Sequence, residues 1–163
     1  MERTISGMMG KGSVNHNTRA FSAKNVDKER SRDNVEFCHK DIKAVYHELF
    51  DEALERYNAK QKRSDRKIEN YYEKIRQGKQ EKLFYEVIFQ IGNRDDMNAR
   101  SEEGQLAKHI LIDFMTDFQS RNPNLHVFSA HLHMDEETPH IHIDFVPVIT
   151  GSKRGLDTRV SLK

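Results

Sequence analysis

The chain has 163 residues, 33% of them charged and 36% hydrophobic, with a formal net charge of +1. That length suffices for one domain with a proper core but not for two, and the near-neutral balance carries no global nucleic-acid signature. The single cysteine, Cys38, excludes an internal disulfide and a cysteine-rich zinc knot, and no apolar run reaches membrane-spanning length, so the chain reads as a cytoplasmic piece without membrane contact.

From Met1 to about Arg32 glycines, asparagines and charges show little periodicity, which predicts loop and short helix laid over a surface. Within it, NHNTRAF places His16 between Asn15 and Asn17, with Arg19 close behind. A histidine in a polar arm is ordinarily just solvated, so its interest depends on what faces it. From about His39, Ile42, Val45, Tyr46, Leu49, Phe50, Ala53, Leu54 and Tyr57 recur at helical steps. The helix continues or restarts through Arg66, Ile68, Tyr72 and Ile75 and ends near Gly78. Lys60, Lys62, Arg63, Arg66 and Lys67 form a basic block there, as readily a solvated face as a phosphate track.

LFYEVIFQI alternates at period two and is a strand. After GNRDDMN, Ser101 is placed to cap a helix with the apolar stripe Leu106, Ile110, Phe114 and Phe118, stopped by Asn122-Pro123-Asn124. LHVFSAHLH and HIHIDFVPV follow as a hairpin around the acidic turn Asp135-Glu136-Glu137. Residues i and i+2 of a strand share a face. Phe128, Ala130, Leu132, Ile141, Ile143 and Phe145 therefore take one side, and His131, His133, His140, His142 and Asp144 the other. The predicted class is α+β: a central antiparallel β-sheet with helices packed on one face and the histidine cluster on the other. GLDTRVSLK reads as the start of something further, so residues 1–163 are expected to be a single domain at the front of a longer protein.

One histidine would mean little, but four at strand spacing with apolar residues between them outline a metal site. Imidazole and carboxylate without cysteine suit manganese, zinc, iron or magnesium with water retained, an open catalytic position rather than a sealed structural one. A metal that polarises a phosphate oxygen still needs a nucleophile. Free imidazole has a reference pKa of about 6.5 and is available neutral near physiological pH. Flanking Asn and Arg can fix its tautomer and neutralise a phosphate.

NHNTR at the front, DNVEF at Asp33 to Phe37 and HMDEETPHIH at His133 to His142 resemble, in order, the three motifs of the MobV relaxases. These are the Mob/Pre plasmid mobilisation and recombination proteins, within the HUH endonucleases. The resemblance covers most of the chain, and its third motif is the most specific. It implies an HUH relaxase-like catalytic domain that nicks one strand at an origin of transfer and rejoins it, held meanwhile to the 5′ end through a histidine. Carried onto this sequence, it implies His16 as nucleophile, with Asn17 and Arg19 as motif partners. It implies His133, His140 and His142 as ligands of a divalent ion; their nitrogen donors favour manganese over magnesium. Glu136 is then the acidic member, steadying a ligand, completing the metal shell through water or taking the proton of His16.

His131 is not required by the pattern and is expected around the site or on DNA; Asn34 and Glu36 match the second motif, where DNVEF lacks the tyrosine associated with it. The implied partners are single-stranded or hairpin DNA at the origin of transfer and the conjugation machinery, in a bacterial cytoplasm, with dimerisation through a further C-terminal region. Asn17, Arg19, Arg63, Arg66 and Lys67 are the expected DNA contacts, and Phe21, Tyr71 or Tyr72 the expected stacking platforms. One rival moves the nucleophile: Tyr71-Tyr72-Glu73-Lys74 resembles the tyrosine helix of rolling-circle replication initiators, although it precedes the histidines instead of following them. A metal-dependent phosphodiesterase using water and a non-catalytic DNA- or metal-binding module are the others.

Overall fold

The histidine hairpin lies at the centre of the sheet, flanked on both sides by strands that arrive from elsewhere in the chain. The computed structural model describes residues 3–163. Its strands are β1 (Ile5–Met9), β2 (Val35–His39), β3 (Tyr85–Ile91), β4 (Leu125–His133), β5 (His140–Ile149) and β6 (Arg159–Val160). Its helices are α1 (Val14–Asn17), α2 (Ile42–Ala59), α3 (Tyr71–Gln77), α4 (Glu102–Thr116) and α5 (Phe118–Arg121). The strands run antiparallel in the order β1-β3-β5-β4-β2, with β6 added to β5.

Three strands, β1, β2 and the two-residue β6, stand where the sequence pattern shows none. All residues of β1 are exposed at the edge of the sheet, so no alternation between core and solvent marks it. In β2 a bulge between Glu36 and Cys38 interrupts the period. Of the two expected readings of the long helix, the restart holds, with the second helix ending at its Gly78 cap. The first opens at Asp41, whose carboxylate accepts the Ala44 N–H, and closes at Ala59; a 3-10 turn at Ser64–Arg66 precedes α3, capped by Asn70.

Ser101 caps α4 as expected, accepting the Gly104 N–H. The buried stripe is nevertheless Ala107, Leu111 and Met115, while Leu106 is 55% exposed and Ile110 is exposed too. Both sets have helical spacing, and Gly104 decides between them. A Cβ there would lie 2.1 Å from the Asn98 carbonyl oxygen, so the first turn rests directly on the Asn98–Ala99 backbone and rolls Ala107 and Leu111 onto the sheet.

Ala107, Leu111, Met115 and Phe118 pack against Ala130, Leu132, Ile141, Ile143 and Phe145 on one sheet face. On the other, Val45, Phe50, Ala53 and Tyr71 cover Phe128 and Val146, joined by Leu156 and Val160 from GLDTRVSLK. Phe128 therefore does not side with Ala130. A bulge between Val127 and Ser129 inserts an extra residue and reverses the alternation. The histidine face is thus shared: α2 and α3 seal one half, and the other half is left to polar side chains.

Candidate functional site

His133 stands opposite His140, and His131 opposite His142, in the β4–β5 register. The rings of His133, His140 and His142 are 4.9 to 5.2 Å apart, and one ligand atom from each lies within 4.8 Å of the others. Their outward contacts define which nitrogen looks inward. His133 Nε2 donates to the Asn17 carbonyl at 2.8 Å and His140 Nδ1 to the Thr138 carbonyl at 2.8 Å. That leaves lone pairs on His133 Nδ1 and His140 Nε2. His133 Nδ1 and both nitrogens of His142 are buried without a hydrogen-bond partner among the described residues. Buried polar atoms are rarely left so, and three converging imidazoles with free nitrogens fit a metal ion. Burial pushes His133 down to about 2, against the pull of the Asn17 carbonyl. Burial and then His142 push His140 down as well. Both rings are held neutral, as metal ligands must be.

The turn α1 brings His16 over this trio, its ring 6.1 Å from His133 and 6.2 Å from His142. Glu136 sits between the two groups: its Oε1 is 3.5 Å from His16 Nε2, 3.9 Å from His133 Nδ1 and 3.8 Å from His140 Nε2. Arg19 adopts a left-handed φ of 59°, unusual for a residue with a side chain, and its guanidinium reaches back across the site. It donates to Asp135 Oδ2 at 2.9 Å, to Glu136 Oε1 at 2.8 Å and to the His16 carbonyl at 3.0 Å.

Asp135 is fully buried and also accepts from Ser31 Oγ and Asn34 Nδ2, each at 2.7 Å. Burial alone would raise its carboxyl, but Arg19, Ser31 and Asn34 hold it well below the usual carboxylate range. Asn34 Oδ1 takes the Met134 N–H at 2.7 Å. The second motif thereby acquires a physical role as a clamp on the acidic turn. Its Glu36 faces His131 Nε2 at 3.0 Å, so His131 is tied to β2 and stands apart from the trio.

Several expected DNA contacts are placed otherwise. Asn17 is 2% exposed, its amide held between Glu86 and Asp144, because α1 must be pinned to the sheet for His16 to overhang it. The Arg19 guanidinium pairs with Asp135 and Glu136. Arg63, Arg66 and Lys67 lie beyond the C-terminal end of α2, an 18-residue helix that spans about 27 Å. Arg63 pairs with Asp65. Tyr71 is buried against Phe50, its hydroxyl accepting the Val160 N–H, and Tyr72 packs on Tyr46. Both tyrosines thus belong to the apolar cluster around α2 and α3. Phe21 is 52% exposed and its ring lies 5.8 Å from His16.

Sequence reasoning missed Glu86. It is the charged position in an otherwise apolar strand, and its register opposite Asp144 sets it on the histidine face. Such a residue in LFYEVIFQI is the signal that could have found it. Asp144 is pushed up to about 8 by burial and by its neighbour, and Glu86 held down to about 2 because His142, Asp144 and Asn17 outweigh its burial. Beside them, a cleft of about 520 Å³ opens between Met8, His16, Asn25, Glu136, His140 and His142.

The sequence profile of the Mob_Pre family, described as a plasmid recombination enzyme, matches residues 9–160. Among solved structures, the chain is similar to Mn-bound crystal structures of the MobM relaxase domain (MOBV; Mob_Pre) bound to plasmid pMV158 oriT DNA. One, with 22-nucleotide DNA at pH 5.5, is 23% identical with a TM-score of 0.50, over 98% of this chain and 74% of that one. Another, with a 3′-thiophosphate at pH 6.8, is 22% identical with the same TM-score, over 98% and 74%. At such identity the likeness shows the fold. No curated protein matches.

Proposed function

The chain belongs to the Mob_Pre family of plasmid recombination enzymes, and from that premise we propose that it nicks and rejoins one DNA strand at an origin of transfer through a covalent bond to His16. The observation that carries the reading is the convergence at one point of His16, Glu136 and the trio, with Glu136 Oε1 3.5 Å from His16 Nε2 and under 4 Å from two of the three histidines. The MobM relatives carry manganese and oriT DNA, which supports manganese as the ion and origin-of-transfer DNA as the partner here; single-stranded or hairpin DNA is the form this reading expects. His133, His140 and His142 would hold that ion, which when bound supplies Lewis-acid polarisation of the scissile phosphate.

The remaining work falls to the chain. A ring nitrogen of His16 attacks phosphorus with its lone pair; the N–P bond forms as the P–O3′ bond breaks. The proton on the other ring nitrogen passes to Glu136, and the departing 3′ oxygen takes up a proton to leave as hydroxyl. Attack by that hydroxyl on the adduct reverses each step and reseals the strand. Arg19 holds Glu136 and the His16 backbone in register, and Phe21 offers its exposed ring to a base beside the scissile phosphate.

An origin oligonucleotide incubated with Mn²⁺ and run on a denaturing gel tests the reading. The expected product is an acid-labile protein–DNA adduct, lost in His16→Ala and retained in the Tyr71→Phe/Tyr72→Phe double variant. Free 5′-phosphate with no adduct would overturn it in favour of hydrolysis by water.

A further inference from the structure

Glu86, the second residue of β3, is buried (4% exposed), and no step of the proposed reaction uses it. Its two oxygens divide between the two parts of the site. Oε2 accepts from the side-chain amide of Asn17, the residue after His16. Oε1 accepts the Gly12 N–H at 3.3 Å and lies 3.4 Å from His142 Nδ1, a buried nitrogen without a hydrogen-bond partner among the described residues.

The connector between β1 and α1 is shaped around this carboxylate. A Cβ at Gly10 would lie 1.9 Å from Glu86 Oε1, and the Gly10 N–H donates to the Glu86 carbonyl at 2.9 Å. Gly10 therefore lets the backbone pass where a side chain would push the carboxylate away, while Gly12, at a φ of +76°, turns against the Phe84 ring. Gly10 lies outside NHNTR, DNVEF and HMDEETPHIH.

We propose that Glu86 is the positioning residue that registers the His16 turn against the metal ligands. Its Oε1 keeps the proton of His142 on Nδ1, so that Nε2 faces the ion. A histidine ligand commonly has its outer nitrogen tied to a carboxylate or carbonyl. The Asn17 and Thr138 carbonyls already tie His133 and His140, and Glu86 supplies the third tie. Its Oε2 holds Asn17, whose carbonyl carries the His133 ring, so one buried carboxylate links α1, β4 and β5. The inference rests on the reading of His133, His140 and His142 as metal ligands and of His16 as nucleophile.

Two measurements test it. In metal-free wild-type protein, ¹⁵N NMR of the His142 ring, assigned with His142→Gln, should show the proton on Nδ1; a proton on Nε2 overturns the proposal without any variant of Glu86 having to fold. Mn²⁺ binding, read by the EPR signal of the free ion, should weaken ten- to a hundredfold in Glu86→Gln. Gly10→Ala, which displaces the same carboxylate, should weaken it in the same direction. Binding by Glu86→Gln as tight as wild type overturns the proposal. A wild type that binds no Mn²⁺, or binds it undiminished in His142→Ala, fails one level down: the metal reading falls and takes this inference with it.

Discussion

At one end of the histidine-bearing sheet face, Phe128 and Val146 lie beneath Val45, Phe50 and Tyr71 of α2 and α3. At the other end the same two strands carry His133, His140, His142 and Asp144 beneath α1 and the acidic turn. Both ends exclude water, by opposite means. The first buries hydrocarbon, which needs shape and no particular partner. The second buries charge and imidazole, which is tolerable only where each group meets a specific donor or acceptor. The apolar half can therefore be exchanged for other hydrocarbon at modest cost, whereas the polar half is defined partner by partner and ends in nitrogens with no protein partner. Chemistry is available only there.

The sharpest way to separate the halves is His16→Ala. Adduct formation should fall on the order of a thousandfold or more, as for loss of a nucleophile, with thermal stability unchanged; a parallel drop in Tm would mean that His16 is a packing residue. Phe50→Ala should do the reverse, costing about 3–5 kcal/mol in urea unfolding while Mn²⁺ affinity of the folded protein stays at the wild-type value. A change in that affinity would show that the halves are not independent. Asp135→Ala leaves the buried Arg19 guanidinium without its main partner and should cost about 3–5 kcal/mol, together with reduced adduct yield because Glu136 loses its brace. Metal removal comes next: Mn²⁺ at a hundred times its Kd should stabilise the fold by roughly 2.7 kcal/mol, seen as a Tm drop on chelation that is absent in His140→Ala. Ser101→Ala, remote from both halves, should cost only about 1 kcal/mol and leave adduct yield untouched.

Much of the site was legible because its elements are local. HLH and HIH place their outer residues on one strand face by backbone geometry alone, and the acidic turn between them could only be a hairpin connection. Ser101 announced its cap in the same manner. Leu106 and Ile110 misled because two helical stripes competed and a glycine contact chose between them. β1 was invisible because an edge strand with both faces exposed has no pattern to read. The basic block around Arg63 drew notice by charge alone, and within it Arg63 pairs with Asp65.

By itself the sequence determined the histidine hairpin, the α+β class and, through three short motifs, the family in which His16 and the trio belong together. Periodicity and spacing act over a few residues, and those features are set within that range. Only the tertiary structure decided that a bulge sends Phe128 to the long helix, that Asn34 and Arg19 converge on Asp135, and that Glu86 stands between Asn17 and His142. Each depends on segments far apart in the chain, and a buried charge finds its partner by where the backbone passes, which no local pattern records.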